Sequence, residues 1–389
     1  MLNFSYNGNK VILTILFSLN LALSLISFLW DINPLIKVNA LLGLIGLIFL
    51  NTRIRNDYFQ IYIYAVILAL SFLVSSLFVW RTDWRIFTPI YFMASGFGMA
   101  MILVRGKVYS WGGYIIFYSL SFYFLILMFT GVSGFSALKY CSHNGISIVI
   151  LIACISLYII LSNENKKISL VPAVFTALIS IWGIGRSGII SSLILLFGLF
   201  FVTFQAKAKN FFILIIFISY LIYLFQEAFL GFAIDYLYAG NAIENYIIRA
   251  GTLEEEARIG MWSNYFYNLD IFRFVFGVNV VEDPWSDKVI NEYNYHNSFI
   301  SFHSQTGLMG LITIVILIFS LFSFFRTNKV FFFLLLALIL RIFTDNVMFF
   351  GRFDFIIYFF IFYLLKSVKY KIPHKNPTIP IPVRWSRKT

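Results

Sequence analysis

His296 stands in the run Tyr293-Asn294-Tyr295-His296-Asn297-Ser298-Phe299, where a long polar segment gives way to an apolar one. Neutral imidazole accepts a proton near neutral pH, so one reading is a general base and the other an interfacial histidine. Arg186 lies in Ile181-Trp182-Gly183-Ile184-Gly185-Arg186-Ser187-Gly188, between two apolar runs with almost no loop. A guanidinium there is either a cation snorkelling at a helix end or a clamp that binds phosphate bidentately and never deprotonates. Further cations, Arg249 and Arg258, sit in the polar segment before His296. His303 follows His296 by seven residues, so the two could share a helix face, but on a straight helix they lie too far apart to bind one ion. Glu254-Glu255-Glu256 and Glu282-Asp283 could bind a hard cation, yet no Asp-x-Asp pair or EF-hand spacing accompanies them, and solvated loop acids explain them as well. No metal site is expected. No Gly-x-x-x-x-Gly-Lys-[Ser/Thr] run is present, which disfavours an ATP-driven pump.

The elements that must position these residues are membrane spans. The chain has 389 residues, 60% hydrophobic and 12% charged, with 47 Phe and 23 Tyr. Soluble domains are about 45–50% apolar and about 25% charged, so this is not a soluble protein. Apolar runs at about 11–29, 35–50, 58–80, 86–104, 114–131, 145–161, 168–184, 188–204, 211–229, 305–325, 330–343 and 355–368 predict about 12 transmembrane helices in one all-α integral membrane domain, residues 1–389. The first run is too long for a signal peptide and lacks a small-x-small site after it.

The net charge of +12 belongs to alternate loops rather than to a nucleic-acid surface; no nucleic acid is expected as a partner. With Lys10 inside, the inside loops carry Arg53, Arg55, Arg105, Lys107, Lys166, Lys167, Lys207, Lys209, Arg326 and Lys329. The basic tail, 369–389, joins them, so more than half of the 29 Lys and Arg face inward and both termini are expected in the cytoplasm. Residues 230–296 form one large outer loop between spans nine and ten, in which acids outnumber bases. A loop of this length in a compact protein is usually functional. Part of it reads as a helix: Thr252 as cap with Glu255 in a capping box, then Ala257, Met261, Trp262 and Tyr265 at helical spacing, with Arg258 one turn before Trp262. Periodicity alone also allows an amphipathic helix on the membrane surface. Inside the eleventh run, Arg341 needs a partner, and Asp345 one turn on can supply it.

His296-Asn297, nine residues, then Gly307-Leu308-Met309-Gly310 resembles the His-Asn-x9-Gly-x-x-Gly pattern of the O-antigen ligase and polymerase superfamily. Arg258 in Glu256-Ala257-Arg258-Ile259-Gly260-Met261-Trp262 resembles that family's arginine in the outer loop, and Arg186-Ser187 its earlier arginine motif. That earlier motif commonly reads Ser/Thr-Arg with Leu four residues on; here Gly185 and Ile190 occupy those places. The resemblance implies a C-type glycosyltransferase architecture with one large periplasmic loop, at the outer face of the bacterial inner membrane. It implies undecaprenyl-diphosphate-linked glycans as substrates and membrane lipids around the protein. A chain-length regulator protein is implied as a partner, with no cofactor and no metal. His296 would then be the general base, Arg186, Arg258 and Arg249 the diphosphate ligands, and Asn297, Gly307 and Gly310 supporting residues. The chemistry suits these types independently: arginines can neutralise a diphosphate leaving group where a metal does so elsewhere.

Within that family, polymerase is favoured over ligase, since ligases often read His-x-His-Asn and Asn294 stands at the first of those histidines here. A flippase or other secondary transporter shares the twelve-span layout, but two similar halves would mark it, and the long loop occurs only in the second half.

Overall fold

The computed structural model describes residues 6–50, 58–80, 87–106, 108–134, 136–138, 144–204, 253–279, 283 and 295–369. Among these the regular structure is entirely helical, in fourteen α-helices. They are α1 (Tyr6–Leu29), α2 (Leu35–Phe49), α3 (Phe59–Ser75, continued by a π-turn over Ser76–Trp80), α4 (Phe87–Val104), α5 (Ser110–Phe129), α6 (Asn144–Asn163) and α7 (Val171–Trp182). There follow α8 (Arg186–Thr203), α9 (Leu253–Tyr267), α10 (Ile271–Phe276), α11 (Ser298–Thr306), α12 (Leu308–Thr327), α13 (Lys329–Phe343) and α14 (Asp354–Lys369).

A helix occupies every expected apolar run except 211–229, which lies outside the described residues together with Arg249, Thr252, most of the 230–296 loop and the tail from 370. Among the described residues, seven helices are long and apolar enough to cross a bilayer: α1, α3 with its π-turn, α4, α5, α6, α8 and α12. By the length and composition of those helices, the chain is an α-helical, multi-pass membrane protein. Two boundaries differ from the expected ones. Arg186 opens α8 rather than lying in a loop, and the expected span at 305–325 is broken at Gly307, which separates α11 from α12.

Two helices form the interior. In α6 every residue from Gly145 to Leu161 is buried, and it is apolar all round, as an encircled helix must be. The first turns of α14, Asp354 to Phe362, are equally enclosed. The surrounding helices present apolar side chains outward, such as Val66 and Leu70 on α3, Ile115 and Phe122 on α5 and Phe319 and Phe322 on α12. In water that face would be a liability; in hydrocarbon it costs nothing, and association must then come from close packing and buried hydrogen bonds. Both are present. The Asn20 amide donates to Asn39 O at 3.2 Å and Ser95 Oγ at 2.9 Å, and the Asn39 amide donates to Ser24 Oγ at 3.0 Å, tying α1, α2 and α4. Where α2 crosses α4, Gly98 lies directly on the Gly43 backbone, and a β-carbon on Gly98 would overlap it.

Because backbone rather than side chain blocks that position, Gly98→Val is expected to lower the thermal midpoint of the detergent-solubilised protein by several degrees. Gly260→Ala, with nothing near its would-be β-carbon, is the matched control. A midpoint for Gly98→Val equal to that of the control would remove the close crossing as a source of stability.

Candidate functional site

The His-Asn run forms the start of a short, doubly capped helix. Asn297, itself buried, accepts from Phe299 N at 2.9 Å and Ile300 N at 3.2 Å through its Oδ1, closing the N-terminus of α11. His296 immediately precedes the cap, is half-buried, and holds a left-handed backbone with φ of +50°. At the other end Gly307 has φ of +55° and donates to His303 O at 2.7 Å. A β-carbon on Gly307 would collide with the Val275 carbonyl, and one on Gly310 would press on Thr306 and His303. The two glycines of the motif thus let the chain turn from α11 into the α12 span while residues 275–277 cross the junction.

α11 is fastened to the loop before α14 by its first residue. The Ser298 hydroxyl donates to Asp345 O at 2.7 Å and accepts from Val347 N at 3.0 Å and Met348 N at 3.3 Å. Asp345 meets Arg341, one turn earlier and only 2% exposed, at 3.2 Å, as the sequence spacing predicts. The same guanidinium donates to Ser187 Oγ at 2.8 Å and to Asn144 O at 3.2 Å. Arg341 therefore joins the start of α6, the start of α8 and the end of α13. Arg186, the neighbour of Ser187, is exposed at the first position of α8, where the helix dipole adds to its positive potential.

The α9 helix docks on the same region. The Trp262 indole N–H donates to Tyr295 O at 2.7 Å, and its ring lies 5.3 Å from that of Phe343 at the end of α13. Arg258 projects from α9 one turn before Trp262 and is half-buried. The apolar stripe of α9 is thus packed on protein at Tyr265, buried with Tyr295, Val278 and Ile300. Segments carrying Arg186, Arg258 and His296 are consequently linked through direct contacts around Arg341–Asp345, while Arg249 is outside the described residues.

His303 is no bystander. It is buried, with Nε2 at 3.1 Å from Phe274 O and Nδ1 at 2.5 Å from the Tyr265 hydroxyl. A carbonyl only accepts, so Nε2 carries a proton, and in the neutral ring Nδ1 then accepts from the phenol. Burial lowers the His303 pKa, against a smaller opposing pull from the Phe274 carbonyl. Nearby, the Tyr295 hydroxyl donates to Asp283 at 2.6 Å; burial, then that carboxylate, pushes the phenol upward. Asp283, expected among the loop acids, is thus buried against the residue preceding His296. Among the described residues no three His, Cys, Asp or Glu gather to hold a metal ion. The sequence singles out His296, Asn297, Arg186 and Arg258, and names Ser187 and Tyr265 only as members of a motif and a helical stripe, with no sign that these two or Ser298 tie distant segments together. The one signal within reach was Arg341, too costly in an apolar helix to lack a task.

A histidine kept neutral by folding but free to protonate when unfolded has a depressed folded pKa. Its contribution is complete above the unfolded value of about 6.5 and fades as pH falls below it. The thermal midpoint of the wild-type chain is expected to drop between about pH 6.5 and 5, and that of His303→Gln, which keeps a donor for Phe274 but does not titrate, to drop less. Superimposable pH profiles would remove His303 from the account.

No protein-family model matches the chain, and no curated protein matches it.

Proposed function

We propose that the chain is an inverting glycosyltransferase of C-type architecture that polymerises undecaprenyl-diphosphate-linked repeat units into a surface glycan such as O-antigen. The reading includes about twelve spans, both termini in the cytoplasm, and the 230–296 loop on the periplasmic side of a bacterial inner membrane. What supports it is that Arg341 and Asp345 tie the Arg186 segment to the His296 segment, while the helix carrying Arg258 packs on Tyr295, the residue before His296, and on Phe343. Neutral His296 takes the proton of an acceptor sugar hydroxyl. The hydroxyl oxygen then bonds to the anomeric carbon of the growing chain as the bond from that carbon to the diphosphate oxygen breaks. The lipid diphosphate leaves with the electron pair, and Arg186 and Arg258, with Arg249 as a further ligand, neutralise the charge that grows on it. One displacement inverts the anomeric centre.

The orientation has its own check. Reporter fusions at Lys209 and Asn241 are expected on opposite sides of the membrane; the same side for both would discard the topology.

For the activity, purified protein is incubated with lipid-linked repeat units in EDTA, without ATP or an ion gradient, and glycan ladders are expected. His296→Ala should cost about 10²–10⁴-fold in rate while the protein stays folded and inserted. Arg186→Ala and Arg258→Ala should be comparably damaging, with lysine at either site rescuing only in part because a point charge cannot grip phosphate bidentately. In cells, single-repeat glycan on the lipid core marks a dead polymerase, whereas complete loss of glycan from the core would identify a ligase instead. Transport without ladders would identify a flippase, and full-length ladders from His296→Ala would reject the assigned base.

A further inference from the structure

A cleft of about 290 Å³ opens at the end of the bundle that carries His296. One wall is the 344–353 loop; the others are the end of α1, the start of α2 and the start of α4. Phe28 and Phe92 give it phenyl surfaces, and Asn33, Thr88, Asn346 and Arg352 give it polar ones. The charge of Arg352 is answered within the protein: its Nη2 lies 3.3 Å from the Asp31 carboxylate and 2.9 Å from Asn33 Oδ1. An anion would find its counter-charge already engaged. A ligand with many hydroxyls, no net charge and a C–H face for the rings meets all of these surfaces at once. The volume falls at the low end of the roughly 300–1,000 Å³ typical of small-molecule pockets, which suits a single sugar ring rather than a lipid chain.

Position selects which sugar. The Arg186–Ser187 segment reaches the 344–353 loop at its start, through Arg341 and Asp345. The cleft takes up that loop from Asn346 to Phe353. Ser298, two residues from His296, is bonded to both parts, at Asp345 and at Val347. The geometry points to the cleft as a saccharide subsite that seats a sugar ring of the acceptor glycan beside the general base, with the donor diphosphate at the other end of the loop. Its assignment to the acceptor rests on the glycosyltransferase reading; its preference for a neutral sugar rests on the lining alone. The backbone around it is held firmly enough to act as a template. Phe349 and Phe350 are both left-handed, at φ of +64° and +65°, and the Asp354 carboxylate accepts from Phe350 N at 2.6 Å and Gly351 N at 3.0 Å.

The test uses the full chain in lipid nanodiscs. The probe is the repeat-unit oligosaccharide freed from its lipid by mild acid, with binding measured by calorimetry. Asn346 is exposed and its side chain holds no part of the core, so its variants should fold with wild-type thermal midpoints. Asn346→Ala is expected to weaken binding about three- to tenfold, the value of one neutral hydrogen bond. Asn346→Trp, which fills the cleft, should abolish binding. Unchanged binding in Asn346→Trp, or no binding by the wild-type chain, overturns the subsite. Loss of binding in Asn346→Trp combined with no ladder synthesis by the wild-type chain would instead sustain the saccharide subsite and overturn the polymerase.

Discussion

A guanidinium cannot shed its proton, so a buried arginine must be surrounded by acceptors or not be buried at all. Arg341 meets that demand from three separate stretches of chain: Asp345 on its own helix end, Ser187 at the start of α8, and the carbonyl of Asn144 at the start of α6. Its place in the last turn of α13 adds the favourable end of the helix dipole. Taking one partner from a buried pair of this kind costs about 3–5 kcal/mol, much of it the penalty of stranding the other charge. Hydrocarbon outside the bundle offers no water to rescue it. The arrangement of the helix ends that carry Arg186 and the His296 segment thus depends on one buried side chain.

What could be read from the sequence divides along a physical line. Apolar runs were legible because a bilayer demands continuous hydrophobicity from any helix that crosses it, and each run within the described residues holds a helix. The Arg341–Asp345 pair was legible because both residues lie within one turn. So was the outer-loop helix, whose Trp262 and Tyr265 recur at helical spacing and turn out to face protein. Contacts that join distant stretches were not legible. Ser187 and Arg341 are 154 residues apart, and Tyr265 and His303 are 38 apart. Neither a serine nor a phenol advertises its partner. The partners of His303 were hidden for the same reason: only the fold brings Tyr265 and Phe274 to its two ring nitrogens. The break at Gly307 was hidden because the apolar pattern runs on beyond it, and hydropathy does not register a change of direction.

Of the six described residues other than glycine with left-handed backbone, Asp31 and Asn165 apart, four lie in the segments around Arg186, His296 and the 344–353 loop. Ile184 lies two residues before Arg186, His296 is the assigned base, and Phe349 and Phe350 line the loop that Ser298 grips. Each such conformation costs on the order of 1–3 kcal/mol and survives only where its surroundings over-determine it. Ile184 is the least expected of the four, since a β-branched side chain fits that region poorly. The surrounding bonds supply the constraint: the Asn297 cap beside His296, Ser298 and Asp354 around the phenylalanines, and Arg341 beyond Ile184. Strain and fastening thus occur together in the segments that carry Arg186, His296 and the 344–353 loop.

The two caps of α11 also turn a spacing into a length. Between Asn297, which closes one end, and Gly307, which closes the other, lie the nine residues of Ser298–Thr306. At about 1.5 Å and about 100° per residue, they form a rod of about two and a half turns. One residue more or fewer would move the far cap by about 1.5 Å and swing it by more than a quarter of a circle. Gly307 would then no longer face the Val275 carbonyl it makes room for, nor would His303 face Tyr265 while Ser298 faces Asp345. A nine-residue interval is therefore a gauge block, set by the distance between the membrane span and the reactive loop. Side chains within it can vary as long as they fill their neighbours' gaps, but its length cannot.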